Sequence, residues 1–102
     1  MKLTDKCKKD FEWYYDVLDI PHYYINVEFK ILPESMQYGV YVDFFDSLGF
    51  NIWTYTSDKK MFYYALLTSG RYLRSYGKCN SRAEARSEAI KKANEIYNNS
   101  NQ

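Results

Sequence analysis

Residues Gln37–Ser57, QYGVYVDFFDSLGFNIWTYTS, carry the pattern from which the fold is predicted. Within this stretch, Asp46-Ser47-Leu48-Gly49 places Asp at the first position and Gly at the last position of a four-residue turn. That pattern is typical of a type I turn in which the glycine takes a positive φ and closes a β-hairpin through a bulge. We therefore expect two antiparallel strands, 37–45 and 50–57, on either side of the turn.

The predicted hairpin has one aliphatic face and one mixed face, because successive side chains in a strand point in opposite directions. The aliphatic face, which we expect to form core, comprises Tyr38, Val40, Val42, Phe44, Ile52 and Thr54. The mixed face comprises Tyr41, Asp43, Phe45, Asn51, Trp53 and Tyr55. A slip of one residue would exchange the faces of a strand, so this division depends on Gly49.

Three further strands are predicted. Tyr23–Ile31 alternates strictly between apolar and polar residues, as in a strand covered on one side. Met61–Thr68 and Arg71–Tyr76 follow as a second hairpin, with Ser69-Gly70 as its turn. Opposing Thr68 and Arg71 places Leu66 with Leu73 on one face of this hairpin. On the other face the same register pairs these residues: Tyr63 with Tyr76, Ala65 with Arg74, and Leu67 with Tyr72.

A helix is predicted at each end of the sequence. The first begins at Asp5 with Thr4 as its cap and ends before Pro21. The second begins after Ser81, which has the capping-box spacing to Glu84, and runs to about Tyr97. The first helix has a predicted buried stripe of Leu3, Cys7, Phe11, Tyr14, Tyr15 and Leu18. The second has one of Ala85, Ala89, Ile90, Ala93, Ile96 and Tyr97.

The predicted fold class is α+β, with the element order α-β-β-β-β-β-α. We expect residues 1–97 to form a single domain in which both helices lie on one face of an antiparallel sheet of about five strands. Residues 98–102 are expected to form a flexible polar tail. No apolar run approaches the roughly 20 residues that cross a bilayer, so no membrane association is expected.

The 102 residues carry a net charge of only +1, but the charges are unevenly distributed. Residues 1–58 hold 5 Lys and Arg against 10 Asp and Glu, whereas residues 59–102 hold 9 against 3. Such asymmetry is typical of a protein that binds nucleic acid or an acidic partner, or that associates head to tail. It also arises when two helices simply carry different solvated charges. The two cysteines, Cys7 and Cys79, lack metal-ligand spacing, and no signal-peptide pattern is visible. We therefore expect free thiols in a reducing, cytoplasmic setting.

The residues that carry catalytic chemistry are few. His22 is the only histidine, and no second histidine or cysteine pair supports a metal site. Asp46 is explained by the turn, which leaves Asp43 without a partner for acid–base catalysis. The four glycines are scattered and form no phosphate-binding loop. We predict a protein that is not an enzyme and that needs neither a cofactor nor a metal.

Aromatic residues, 20% of the chain, suggest a recognition surface. If the outer sides of both hairpins lie on the helix-free face, they form an aromatic surface suited to a protein partner or a second copy of the chain. The predicted partner-binding residues are Tyr41, Phe45, Trp53, Tyr55, Tyr63 and Tyr76. Two alternatives stay open: the same rings stack single-stranded bases, or they complete a second core layer.

Basic residues of the C-terminal half suggest a nucleic-acid site as the alternative. Arg82 and Arg86 lie one turn apart at a helix start, where free backbone N–H groups favour phosphate. Glu84 and Glu88 lie in the same turns and weaken that field, so an ordinary solvated helix face is an equally open interpretation. The candidate nucleic-acid contacts are Arg74, Arg82, Arg86 and Lys92.

Residues 62–97 resemble the C-terminal half of a double-stranded-RNA-binding domain. The resemblance rests on Phe62, Gly70, Gly77, Ser81, Arg82, Ala85, Arg86, Ala89 and Ala93. It implies phosphate contacts by Arg82 and Arg86 alone. The predicted hairpin that precedes these residues has no place in the compact pattern of that family.

The segments LPESMQYGVYVDFFDSLGF and SRAEARSEAIKKANEIYN resemble small uncharacterised proteins of phages and prophages of Bacteroidetes-type bacteria. This resemblance implies an accessory protein in the cytoplasm of a bacterial host. By analogy with that class, we expect it to bind and inhibit a host protein, as anti-defence proteins such as anti-CRISPRs do. Nucleic-acid binding and a structural homo-oligomer are the alternatives.

Overall fold

The computed structural model describes residues 1–17, 28–57, 60–68, 70–74 and 79–100. Within them the predicted α+β class is confirmed, but the sheet has three strands, not about five. The helices are α1 (Asp5–Val17), α2 (Glu34–Ser47) and α3 (Arg82–Ser100), and a short 3₁₀ turn spans Phe29–Ile31. The strands are β1 (Phe50–Thr56), β2 (Phe62–Thr68) and β3 (Arg71–Arg74), in antiparallel order β1-β2-β3.

The first strand of the predicted 37–57 hairpin is a helix, so that prediction was wrong. The buried side chains of α2 are Val40, Tyr41, Phe44 and Phe45, at the spacing of one helix face. Alternate residues of the same stretch are also apolar, and aromatic and β-branched residues favour strands when considered locally. Packing decides between the two patterns, because these four side chains join α1 and α3 residues in one core cluster.

Gly49 has the positive φ that was predicted, +86°, but it ends a helix and does not close a hairpin. The N–H of Gly49 donates to the carbonyl oxygen of Asp46 at 3.0 Å, and the N–H of Leu48 donates to that of Phe45 at 3.0 Å. A glycine with positive φ is the commonest residue just after a helix C-terminus. The Asp-Ser-Leu-Gly motif is therefore the stop signal of α2, and β1 begins directly after it.

The described part of the strand predicted at 23–31 is not a strand. Residues 23–27 lie outside the described residues, and the Phe29–Ile31 stretch forms the 3₁₀ turn. The Phe29 ring lies 4.9 Å from the Phe11 ring and 4.9 Å from the Tyr41 ring, centroid to centroid. This segment therefore fills the space between α1 and α2 with an aromatic side chain.

The second predicted hairpin is confirmed over its described residues. β2 and β3 pair with Thr68 opposite Arg71, and Gly70 in the turn has a φ of +83°. β1 pairs with the edge of β2 that faces away from β3, with Ile52 opposite Leu66 and Trp53 opposite Ala65. Since Leu66 is also opposite Leu73, one face of the sheet is aliphatic across all three strands.

The helices pack on this aliphatic face. Phe50, Ile52 and Leu66 are buried in one cluster with residues of α1, α2 and α3. The predicted stripe of α1 is confirmed at its four buried residues, with Tyr15 partly buried and Leu18 outside the described residues. The stripe of α3 is confirmed as well, with Ile96 partly buried. The N–H of Glu84 donates to Ser81 Oγ at 3.1 Å, as the capping box requires.

Helix α3 does not end in a polar tail at Asn98 but continues to Ser100. Asn98 is buried, and its Oδ1 accepts a hydrogen bond from the N–H of Cys7 at 2.8 Å. Its amide group also donates to the Thr4 carbonyl oxygen at 3.0 Å. Asn94 Oδ1 accepts from the N–H of Thr4 at 2.9 Å, and Asn94 Nδ2 donates to Thr4 Oγ1 at 3.0 Å. Thr4 holds the predicted cap position, since its carbonyl oxygen accepts from the N–H of Lys8 at 3.1 Å, but the side chains that accept from the N–H groups of Thr4 and Cys7 are the two asparagines of α3.

Candidate partner-binding face

The outer face of the sheet carries four exposed or partly exposed aromatic side chains and one leucine. Alternation along the strands places them on the side opposite Phe50, Ile52 and Leu66. We call this set the aromatic face, and it comprises Trp53, Tyr55, Tyr63, Leu67 and Tyr72.

The rings of the aromatic face contact one another across strands. Tyr55 and Tyr63 are directly opposite and stacked, with ring centroids 5.4 Å apart and planes at 18°. The Trp53 and Tyr72 rings, from the two edge strands, lie 6.1 Å apart. Ala65 of the central strand is opposite Trp53 and is fully buried. Its small side chain leaves room for the two larger rings, so the sheet presents a continuous aromatic surface.

No described helix or strand covers the aromatic face. Trp53 is 40% exposed, Tyr55 36%, Leu67 38% and Tyr72 53%, whereas Leu66 on the inner face is 0% exposed. Contiguous exposed rings of Trp and Tyr are the composition found at protein–protein interfaces, where such residues act as anchors. The face can therefore offer apolar contact area together with phenol and indole hydrogen-bonding groups.

Two of the predicted partner-binding residues do not lie on this face. Tyr41 and Phe45 are on α2, where they are 5% and 0% exposed, because residues 37–45 form a helix and not a strand. Burial raises the pKa of the Tyr41 phenol to about 12. Tyr76 lies outside the described residues.

The structure does bring together Trp53, Tyr55 and Tyr63, and it adds Leu67 and Tyr72 to them. The signal for the added pair was already in the predicted register of the second hairpin, which places Leu67 opposite Tyr72. Both residues belong in the candidate site, although the predicted site list did not contain them.

Three of the basic residues proposed for nucleic acid have described contacts within the chain. The Arg82 guanidinium carbon lies 5.8 Å from the centre of the Phe62 ring, and that of Arg86 lies 5.2 Å from the centre of the Tyr38 ring. Lys92 Nζ lies 3.8 Å from the Glu95 carboxylate. The Arg74 side chain is outside the described part of the chain. The contacts of these cations, where described, are with rings and carboxylates of the same chain.

Two titratable groups of α1, Cys7 and Asp10, have pKa values shifted by their surroundings. Burial raises the pKa of the Cys7 thiol to about 12, which disfavours the reactive thiolate. The Asp10 carboxylate accepts hydrogen bonds from Lys6 Nζ, at 2.6 Å, and from the Tyr97 hydroxyl, and these two donors lower its pKa. Cys7 and Cys79 are both free and buried. No three metal-binding side chains cluster within the described ranges, and His22 lies outside them.

None of the described helices combines the length and the apolar character needed to span a membrane. No protein-family model, curated protein or solved structure matches the chain.

Proposed function

We propose that the chain is a protein-binding domain that acts without catalysis, by covering a surface of its partner with the aromatic face. One observation carries this proposal: exposed rings and a leucine are contiguous on the one sheet face that no described helix covers. The proposal extends to inhibition of a host protein in a bacterial cytoplasm, including an anti-defence role. That setting rests on the resemblance to phage proteins.

The interpretation of these rings as a second core layer has less support. The inner face alone joins the cluster of buried residues, through Phe50, Ile52 and Leu66. The outer rings contact one another, and Trp53, Tyr55 and Tyr72 are 36–53% exposed to solvent. A core layer would bury such large apolar groups almost completely, whereas an interface buries them only in the complex.

Duplex RNA is the second candidate ligand. One observation favours it. The strand predicted at residues 37–45 had no place in the compact pattern of double-stranded-RNA-binding domains. Because these residues form helix α2, that departure from the pattern is removed. Against it, Arg82 and Arg86 lie over aromatic rings, and carboxylates alternate with the cations along α3. The balance of these observations supports a protein partner.

A pull-down with matched tryptophan variants tests the proposal. The immobilised chain is exposed to lysate of a Bacteroidetes host, and the retained proteins are compared for wild type, Trp53→Ala and Trp13→Ala. Trp13 is the control because it is also exposed, at 58%, but lies on α1 away from the sheet. We expect a defined partner that is lost with Trp53→Ala and kept with Trp13→Ala.

Retention of the partner by both variants, with circular dichroism showing both folded, would contradict the aromatic face as the site. A gel shift at low salt with duplex RNA separates the second candidate. If the chain binds RNA, and if this affinity falls steeply with added salt and with Arg82→Ala, nucleic acid and not protein would be the ligand. Sedimentation at several concentrations tests the remaining alternative, a structural homo-oligomer.

A further inference from the structure

A groove of about 610 Å³ runs between α2 and the outer edge of β1. Met36, Gly39 and Asp43 line it from the helix, and Ile52, Trp53 and Thr54 line it from the strand. Ile52 and Thr54 point to one face of the sheet and Trp53 to the other. Because residues from both faces reach the groove, it lies along the strand edge, where backbone groups are accessible.

The edge of β1 lacks the features that usually protect a sheet edge. Among the described residues, β1 pairs with β2 alone. Its sequence, FNIWTYT, contains no proline and no charged residue, whereas exposed edges are commonly blocked by lysine, proline or a bulge. Its seven residues extend over roughly 23 Å, and every second residue directs its backbone N–H and C=O away from β2. This edge can accept a further strand.

Gly39 keeps the helix side of the groove open. A Cβ atom at this position would meet nothing within 4 Å, so no packing constraint in the chain demands glycine here. A glycine inside a helix is nevertheless less favourable than an alanine. One turn further on, Asp43 is exposed, and no described residue forms an ion pair with it. The groove is thus largely apolar, with one carboxylate at its side.

We propose that an extended segment of a partner protein adds to β1 as a fourth strand and fills this groove. Its alternate apolar side chains pack between Gly39 and Ile52, and a lysine or arginine pairs with Asp43. The inference rests on the proposed function and names the kind of segment that the partner contributes. A second copy of the chain fits less well, because its own β1 carries no cation to place opposite Asp43.

Selection from a displayed library of random decapeptides on the immobilised full chain tests the inference. We expect enrichment of peptides with apolar residues at every second position and one basic residue. A synthetic peptide of the enriched class is then titrated by fluorescence anisotropy. Gly39→Leu, which fills the groove, and Asp43→Lys, which reverses its charge, should each weaken binding at least tenfold.

Matched controls accompany both variants. Gly39→Ala adds only a methyl group and should retain most of the affinity. Asp46→Lys makes the same charge change on α2 outside the groove and should change affinity less than twofold. N-methylation of alternate peptide amides should abolish binding in one register and leave it intact in the other, because only one set faces β1.

Lack of enrichment, or equal affinity for wild type and Gly39→Leu, would overturn the inference. So would equal tolerance of N-methylation in both registers. Tyr72→Ala separates this result from the proposed function, since Tyr72 lies on β3 at the far edge of the aromatic face. If the host partner is lost with Tyr72→Ala but kept with Gly39→Leu and Asp43→Lys, the aromatic face binds and the groove does not.

Discussion

The two faces of the sheet are built on the same three strands but differ in burial. Leu66 and Leu67 are neighbours of the same residue type, yet the first is 0% exposed beneath the helices and the second is 38% exposed on the aromatic face. Residue type alone therefore does not decide which side chains of this sheet are buried. The register of the strands does, because it decides which neighbour points to the helices.

The largest expected effect comes from truncating these two leucines in turn. Leu66→Ala should lower the free energy of unfolding by roughly 2–5 kcal/mol, because it leaves a cavity under α3. Leu67→Ala, its matched control, should change it by less than about 1 kcal/mol. Urea denaturation followed by circular dichroism measures both. Equal losses would mean that the outer face is also core.

The next largest loss of stability is expected from removing an asparagine that caps α1. Asn98→Ala should cost about 1–3 kcal/mol, because the N–H of Cys7 and the carbonyl of Thr4 lose buried partners. Asn99→Ala, at the neighbouring exposed position, serves as the control and should be close to neutral. Amide hydrogen exchange in the first turn of α1 should rise in the Asn98 variant only. Unchanged exchange there would contradict the capping role.

A smaller effect is expected where α2 passes into β1, since this junction orients the two faces. Gly49→Ala should destabilise the chain by about 1–2 kcal/mol, because L side chains are unfavourable at a φ of +86°. Gly49→Asn should recover part of that loss, since asparagine tolerates the left-handed region better than alanine. Urea denaturation of wild type and both variants, followed by circular dichroism, measures these differences. A neutral Gly49→Ala would show that the junction adopts another conformation.

The smallest effect is the pH dependence of stability that comes from the buried Tyr41 of α2. The pKa of Tyr41 is raised to about 12 by burial, so the folded state favours the neutral phenol. The stability from this group is complete below its unfolded pKa, near 10, and is lost as the pH rises toward 12. Tyr41→Phe should therefore lose less stability than wild type between pH 9 and pH 11. Parallel losses would show that Tyr41 titrates normally.

Much of this fold follows from local patterns in the sequence. The stripes of α1 and α3 repeat at helical spacing, and Ser81 with Glu84 marks the start of α3. The β2–β3 register follows from Gly70, whose positive φ suits a tight turn. In these elements, propensity, capping and periodicity all indicate the same structure.

The region of α2 could not be predicted in that way, because residues 37–45 satisfy a period of 2 as well as a helical period. The Asp-Ser-Leu-Gly motif suits both a hairpin turn and a helix end, so it did not decide between them. Only contacts with distant residues, such as those of Phe44 with Tyr14 and Tyr97, settle the choice. The error placed Tyr41 and Phe45, which are core residues, in the predicted site.

The candidate site was predictable where it depended on strands alone. Trp53 and Tyr55 were grouped on one face correctly although their predicted partner strand was wrong, because alternation within β1 does not depend on its neighbour. The groove could not be foreseen, since it exists only once residues 34–47 form a helix beside β1.

The asparagine caps of α1 also bear on the order in which the chain can assemble. The bonds from Asn94 and Asn98 to Thr4 and Cys7 join residues 90 to 94 positions apart in sequence. During synthesis, α1 is made before α3, yet α3 supplies the side chains of its cap. The loop between them must close before those bonds form, so the cap is expected to form late, after α1 has packed on α2 through Phe11 and Phe44. A ribosome-bound chain that stops before Asn94 would therefore leave the first turn of α1 without these partners.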